Sequence, residues 1–93
     1  MQKVQKKIAV LVREREGEAL RMSLGLILVD DVVDVYVLDR KLQLTEESTL
    51  HLDTMREMEM KLYTNCRENA DMEYLTTAEI ARRLPQYDNI LPY

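Results

Sequence analysis

Two short apolar runs, each followed by a charged cluster, dominate the first half of the chain. Residues 7–12 and residues 32–38 are both rich in β-branched side chains. A run without alternation is typical of a strand that is buried on both faces, as in a parallel sheet covered by helices. Between them, residues 18–28 place apolar side chains at helical spacing, which predicts a helix long enough for a parallel crossover. The sequence therefore begins with a predicted βαβ unit.

The second half continues this alternation with weaker signals. A threonine followed by two glutamates opens a predicted helix over residues 45–59, because such residues cap a helix and suit the positive end of its dipole. Residues 60–64 predict a third strand. Thr76 and Glu79 have capping-box spacing and predict a third helix, which Pro85 ends at the preceding residue.

The fold predicted from these elements is α/β. Residues 89–93 predict a fourth strand, at a sheet edge because Pro92 cannot donate to an interior ladder. The order βαβαβαβ predicts a small, doubly wound, mainly parallel four-stranded sheet with helices on both faces. A flavodoxin-like winding gives the strand order 2-1-3-4, and its switch point lies between the first and third strands. Loops 13–17 and 65–69 would then flank one crevice, within a single domain over residues 1–93.

Composition narrows the classes of partner. The chain has 13 Lys and Arg against 17 Asp and Glu, a net charge of −4 that argues against nucleic acid. It lacks an apolar run of the roughly 18 residues that a membrane span requires. Its single cysteine, Cys66, fits a reducing compartment. We therefore expect a cytoplasmic protein that binds neither nucleic acid nor membrane.

The sequence lacks the residues that most cofactor and catalytic sites of such sheets require. A phosphate or flavin site needs a loop of small residues after the first strand, whereas residues 13–17 have the sequence Arg-Glu-Arg-Glu-Gly. A phospho-acceptor site needs acids at the carboxyl ends of strands, whereas Asp30 and Asp31 precede the second strand. His51 and Cys66 are too few and too far apart to predict a metal centre. We expect no cofactor and no metal.

Cys66 is the remaining candidate. It follows the third predicted strand, in a loop of the kind where sites concentrate. Arg67 is adjacent and Arg13 or Arg15 would lie across the crevice, and such cations favour the nucleophilic thiolate form. The alternative is that Cys66 only fills space in the interior, as lone cysteines commonly do. The residues alone leave both interpretations open.

The first predicted helix carries a separate signal. Apolar side chains cover well over half of its circumference, although a helix on a small sheet needs only one apolar stripe. Such an excess predicts a homo-oligomer in which a second copy covers the helix. Neighbouring elements of the same chain are the alternative cover.

The order and composition of these segments resemble the DsrE-like family, small proteins related to the subunits of bacterial sulfur-relay complexes. The resemblance rests on residues 8–12, 18–26, 30–31, 35–39, 61–65, 75–81 and 87–93. It implies a flavodoxin-like α/β fold and homo- or hetero-oligomers. In the relay members, a cysteine after a central strand carries sulfur as a persulfide that passes between proteins.

The resemblance places Cys66 at this sulfur-carrying position, with Arg67 as its electrostatic support. It implies a sulfur carrier that exchanges sulfur with donor and acceptor proteins, and it leaves open whether the chain is an enzyme. The alternative is a non-catalytic oligomeric adaptor of the same fold, in which Cys66 is a packing residue.

Overall fold

Strands and helices alternate along most of the chain, as the hydrophobic pattern predicts. The computed structural model describes residues 6–27, 32–43, 45–69 and 71–93, so Asp30 and Asp31 lie outside the described residues. The elements are β1 Lys7–Val12, α1 Glu16–Ile27, β2 Val32–Val37, α2 Glu46–Glu57, β3 Lys61–Thr64, β4 Glu73–Tyr74, α3 Thr77–Arg83, a 3₁₀ turn Leu84–Gln86 and β5 Asn89–Pro92. The predicted α/β class is confirmed, and each predicted element has a counterpart with similar bounds.

The strands form one parallel sheet in the order β4-β3-β2-β1-β5. This corrects the predicted four-stranded order 2-1-3-4, because β2 separates β1 from β3 and β5 lies on the other side of β1. Crossovers are nearly always right-handed. Since α1 and α2 cover the same face, they place β1, β2 and β3 side by side in sequence. Because α3 covers the opposite face, the chain then returns to the free side of β1.

The strand β4 is an addition to the predicted elements. It contains two exposed residues, Glu73 and Tyr74, so no apolar run marks it in the sequence. It pairs with β3 and follows it without an intervening helix. The element order is therefore βαβαββαβ rather than the predicted βαβαβαβ.

The two faces of the sheet carry two separate cores, since side chains alternate along each strand. The α1–α2 face holds the larger core, which includes Ile8, Val10, Val12, Val33, Val35, Val37, Ala19, Leu20, Leu52 and Met55. The α3 face holds the smaller core of Ala9, Tyr36, Leu38, Leu75 and Ile80. Burial on both faces explains why residues 8–12 of β1 form a continuous apolar run and why β2 is apolar except at Asp34.

The predicted helix caps are confirmed. The Thr45 hydroxyl oxygen accepts from the amide of Ser48 at 3.0 Å, and the Thr76 hydroxyl oxygen accepts from the amide of Glu79 at 3.1 Å. Each bond satisfies one backbone donor of the first helical turn. After α3, Pro85 lies within the 3₁₀ turn, where its missing amide proton costs no helical hydrogen bond.

A partly buried chain of hydrogen bonds under α3 joins β2 to the segment before β5. The Tyr87 hydroxyl donates to Asp34 Oδ2 at 2.5 Å and lies 2.6 Å from the Tyr36 hydroxyl, which must therefore donate to it. Burial raises the pKa of Tyr87 and of Tyr36 above the ordinary tyrosine value, and the hydrogen bond to Asp34 raises that of Tyr87 further. Both hydroxyls therefore stay protonated at neutral pH and hold the returning chain against the sheet.

Candidate functional site

The loops after β1, β2 and β3 lie side by side at the carboxyl edge of the sheet. Arg13 Nε lies 3.6 Å from Asp39 Oδ2, and the side-chain amide of Asn65 donates to Asp39 Oδ1 at 3.0 Å. The Asp39 amide donates in return to Asn65 Oδ1 at 2.6 Å. The prediction that loops 13–17 and 65–69 flank one crevice is therefore wrong, because the loop after β2 lies between them.

The switch point of the sheet lies between β1 and β5, because the chain runs from β1 to β2, β3 and β4 in one direction and then places β5 on the other side of β1. There the backbone carbonyl of Tyr93 accepts from the amides of Glu14 at 3.1 Å and Arg15 at 2.9 Å. Amides that precede a helix are the usual donors to a bound phosphate. In this protein these two amides are already engaged by the chain itself.

Cys66 lies in the turn after β3 as a partly buried free thiol. Its amide donates to Thr64 Oγ1 at 3.0 Å, and its carbonyl accepts from the amide of Asn69 at 3.1 Å. Thr64 is completely buried, and its hydroxyl donates to the carbonyl of Val37 at 2.8 Å. Hydrogen bonds on both sides of Cys66 therefore fix the backbone that carries the thiol.

Asn69 joins this turn to the loop after β2. Its side-chain nitrogen donates to Thr64 Oγ1 at 2.9 Å and to the carbonyl of Arg40 at 3.1 Å. Its side-chain oxygen accepts from the amide of Leu42 at 2.8 Å. With these bonds the buried amide group of Asn69 replaces several backbone contacts and sets the distance between the two loops.

Arg67 is exposed, and its charge lies on the β4 side of the turn. The guanidinium carbon is 4.2 Å from the centroid of the Tyr74 ring, a cation–π arrangement. The other two arginines predicted to support the thiol pair with acids: Arg13 with Asp39, and Arg15 with Glu18 at 3.9 Å. The structure thus places Arg67 beside Cys66 in the chain and directs its charge toward Tyr74.

Hydroxyl groups near the carboxyl edge are engaged in hydrogen bonds. Thr64 is bonded as described, and the Thr77 hydroxyl accepts from the side-chain amide of Asn65 at 3.0 Å. Ser23, on the α1–α2 face, donates to the carbonyl of Ala19 at 2.7 Å. Among these candidate nucleophiles, the Cys66 thiol is the one that is both partly exposed and uncommitted to a hydrogen bond in the described contacts.

Sequence reasoning missed four polar residues of this edge: Asp39, Thr64, Asn65 and Asn69. Asp39 stands directly after a β-branched run, and its φ of 68° lies in the left-handed region that Asp and Asn tolerate best after glycine. Its position at the carboxyl end of a predicted strand is the signal in the sequence that could have identified it as a site residue. The roles of the other three depend on contacts between loops far apart in the chain.

Two cavities flank these loops, one on each face of the sheet. The α2 cavity, about 220 Å³, has an apolar floor of Leu42, Leu52 and Met72 and a charged rim. The α3 cavity, about 200 Å³, lies between α3 and the ends of β1 and β2, with Asn65 at its mouth. Neither cavity is lined by Cys66. The turn that carries the thiol therefore separates two small recesses.

The described residues hold no group of three His, Cys, Asp or Glu side chains placed to bind a metal ion. None of the helices in the described part of the chain is long and apolar enough to cross a membrane.

Comparisons with protein-family models, with curated proteins and with solved structures found no match for this chain. The resemblance to the DsrE-like family therefore rests on the sequence segments alone.

Proposed function

We propose that this protein is a small cytoplasmic sulfur carrier that holds sulfane sulfur on Cys66 as a persulfide. The observation that carries the proposal is the position of a partly exposed thiol at the carboxyl edge of a parallel sheet. Thr64 and Asn69 fix the backbone on both sides of this thiol. A fixed and partly exposed cysteine suits a carrier, because its sulfur must meet a partner's sulfur in a defined geometry.

The chemistry is an exchange between a thiol and a persulfide. The Cys66 thiolate attacks the outer sulfur of a donor persulfide, a new S–S bond forms at Cys66, and the donor's S–S bond breaks. The donor leaves as a thiolate and takes up a proton. Delivery to an acceptor is the same step in reverse, so the cycle needs no other oxidant or reductant. Arg67, adjacent to Cys66 in the chain, is the proposed electrostatic support of the sulfur.

The donor and acceptor are proposed to be proteins, and the carrier is proposed to form a homo-oligomer. Two exposed apolar side chains support self-association. Met22 on α1 is 45% exposed, and Ile90 on the edge strand β5 is 41% exposed. Burying such side chains and pairing such an edge are common in assembly interfaces.

A second candidate function is a non-catalytic adaptor subunit. The stacking of Arg67 on Tyr74 favours it, because this contact directs the nearest charge away from a role at the thiol. In this case Cys66 only packs in its turn. A Cys66→Ser variant separates the two functions: an adaptor would keep its partner binding and lose nothing, whereas a carrier would lose all sulfur transfer.

The experiment that tests sulfur carriage is mass spectrometry of the intact protein after incubation with a persulfide donor. We expect a gain of about 32 Da, one sulfur atom, which dithiothreitol removes. The Cys66→Ser variant is the matched control, since the chain has one cysteine. Absence of the adduct on the folded wild-type protein would contradict the proposal.

A further inference from the structure

The α3 cavity has the composition of a binding site for a small ligand. Its walls are aliphatic and come from β1, the residue after β2, α3 and the 3₁₀ turn: Leu11, Leu38, Ile80, Ala81 and Leu84. Four polar side chains stand at its mouth, at the carboxyl edge of the sheet: Arg13, Asp39, Asn65 and Thr77. Apolar walls with a few convergent polar groups are the usual features of small-molecule sites.

The topology of the sheet explains why a recess forms at this place. The loop after β1 leads to α1 on the opposite face of the sheet. The chain enters α3 from β4, which lies at the far edge of the sheet from β5. The end of β1 is therefore left partly uncovered on the α3 face, where Leu11 is half-buried. Ligands of parallel sheets bind outside the carboxyl ends of the strands, which is where this recess opens.

The charged groups at the mouth restrict the chemistry of the ligand. Arg13 and Asp39 present opposite charges 3.6 Å apart between Nε and Oδ2, and both side chains are more exposed than buried. Two hydrogen bonds with Asn65 fix Asp39 in its left-handed conformation. Holding a residue other than glycine in this region costs free energy and is a common feature of functional sites. A ligand that carries a carboxylate and an ammonium group would match this pair.

We propose that the α3 cavity binds a small zwitterion with an aliphatic tail, an apolar α-amino acid such as leucine. Its carboxylate pairs with Arg13, its ammonium group pairs with Asp39, and its side chain lies against Leu11, Ile80 and Leu84. The volume of about 200 Å³ is below the roughly 300–1,000 Å³ of sites for drug-sized molecules, so the ligand must be small. The proposal is independent of sulfur carriage, because Cys66 does not line the cavity.

The test is an amide NMR titration of the wild-type protein with L-leucine and two analogues. Isocaproate has the same tail without the ammonium group, and isoamylamine has it without the carboxylate. We expect leucine to cause saturable shifts at the residues of the cavity. We expect each analogue to bind about fivefold more weakly, the contribution of one exposed charge pair.

Variants then assign each charge. Arg13→Gln should weaken leucine and isocaproate about fivefold and leave isoamylamine unchanged, whereas Asp39→Asn should weaken leucine and isoamylamine. Asparagine tolerates the left-handed conformation of residue 39. Arg15→Gln, in the same loop but outside the cavity, is the matched control and should bind like wild type. Cys66→Ser should also bind like wild type, which keeps this test separate from that of sulfur carriage.

A cavity-filling variant provides a second line. Ala81 lies on the exposed side of α3 and lines the cavity, so Ala81→Met should fill it, abolish leucine binding and leave the spectrum of a folded protein. Shifts that do not saturate with leucine would overturn the proposal, as would isocaproate binding as tightly as leucine. Shifts of the same residues with protein concentration alone would also overturn it, because they would show a second copy filling the cavity.

Discussion

Thr64 is the buried centre of the turn that carries Cys66, and the variant Thr64→Val should lower the stability of the fold. Valine keeps the shape and the β-branch, so the change replaces the hydroxyl group with a methyl group. That hydroxyl donates to the carbonyl of Val37 and accepts from the amide of Cys66 and the side-chain nitrogen of Asn69. One substitution therefore removes three hydrogen bonds.

The size of the effect follows from burial. Thr64 is 0% exposed, so water cannot replace its hydroxyl without opening the turn. A buried polar group left without its partner costs about 1–3 kcal/mol. Because the turn can relax and expose some of these groups, we expect a total loss of about 2–4 kcal/mol rather than the full sum. A domain of this kind has a free energy of unfolding of roughly 5–15 kcal/mol, so the loss is readily measured.

The assay is urea unfolding followed by circular dichroism, with the rate of thiol labelling at Cys66 as a local readout. We expect a lower midpoint at an unchanged slope, together with faster labelling. Thr49→Val, at an exposed position of α2, is the matched control and should change stability by less than about 0.5 kcal/mol. A Thr64→Val protein as stable as this control would refute the reasoning from the hydrogen-bonded turn.

Three further predictions concern other parts of the fold. Tyr87→Phe leaves the buried carboxylate of Asp34 without its donor and should cost about 1–3 kcal/mol at pH 7 in urea unfolding. The raised pKa of Tyr87 means that this tyrosine ionises at lower pH in the unfolded chain than in the folded protein. The free energy of unfolding of the wild type should therefore fall as pH rises above about 10, and it should fall less steeply in Tyr87→Phe. Equal slopes of stability against pH in the two proteins would contradict this. Thr76→Ala removes the cap of α3 and should cost about 1 kcal/mol by the same assay, and a neutral result would show that the cap is not needed. If α1 lies in an oligomer interface, Met22→Glu should reduce the mass measured by light scattering. Leu50 is also exposed but lies on α2, so Leu50→Glu should leave the mass unchanged. A wild-type protein that is monomeric would exclude the interface.

The bounds of the elements could be predicted because burial on both faces leaves a direct mark on the sequence. Residues 8–12 form a continuous apolar run, and β1 spans Lys7–Val12. The cap at Thr76 was equally local, since its partner Glu79 is three residues away. By contrast, β4 contains two exposed residues that pair with β3, and no local pattern distinguishes them from a loop.

The order of the strands could not be predicted because it depends on which face each helix covers. Both faces of β2 are buried: Val35 faces the α1–α2 core and Tyr36 faces the α3 core. Its sequence therefore gives no preference for either side as the place of the next helix. The hydrogen bonds that fix the Cys66 turn share this difficulty, because Asn69 bonds to Arg40 and Leu42 from another loop.

The most direct test of sulfur carriage compares the rate of persulfide formation on Cys66 in the folded protein and in the protein unfolded in urea, at equal donor concentration and pH. A carrier presents its thiol to the donor through its fold, so we expect the folded protein to gain the sulfur at least as fast as the unfolded chain. A packing cysteine is shielded by the fold and would react only as fast as the turn opens. Sulfur uptake that is slow in the folded protein and fast after unfolding would contradict the proposed function.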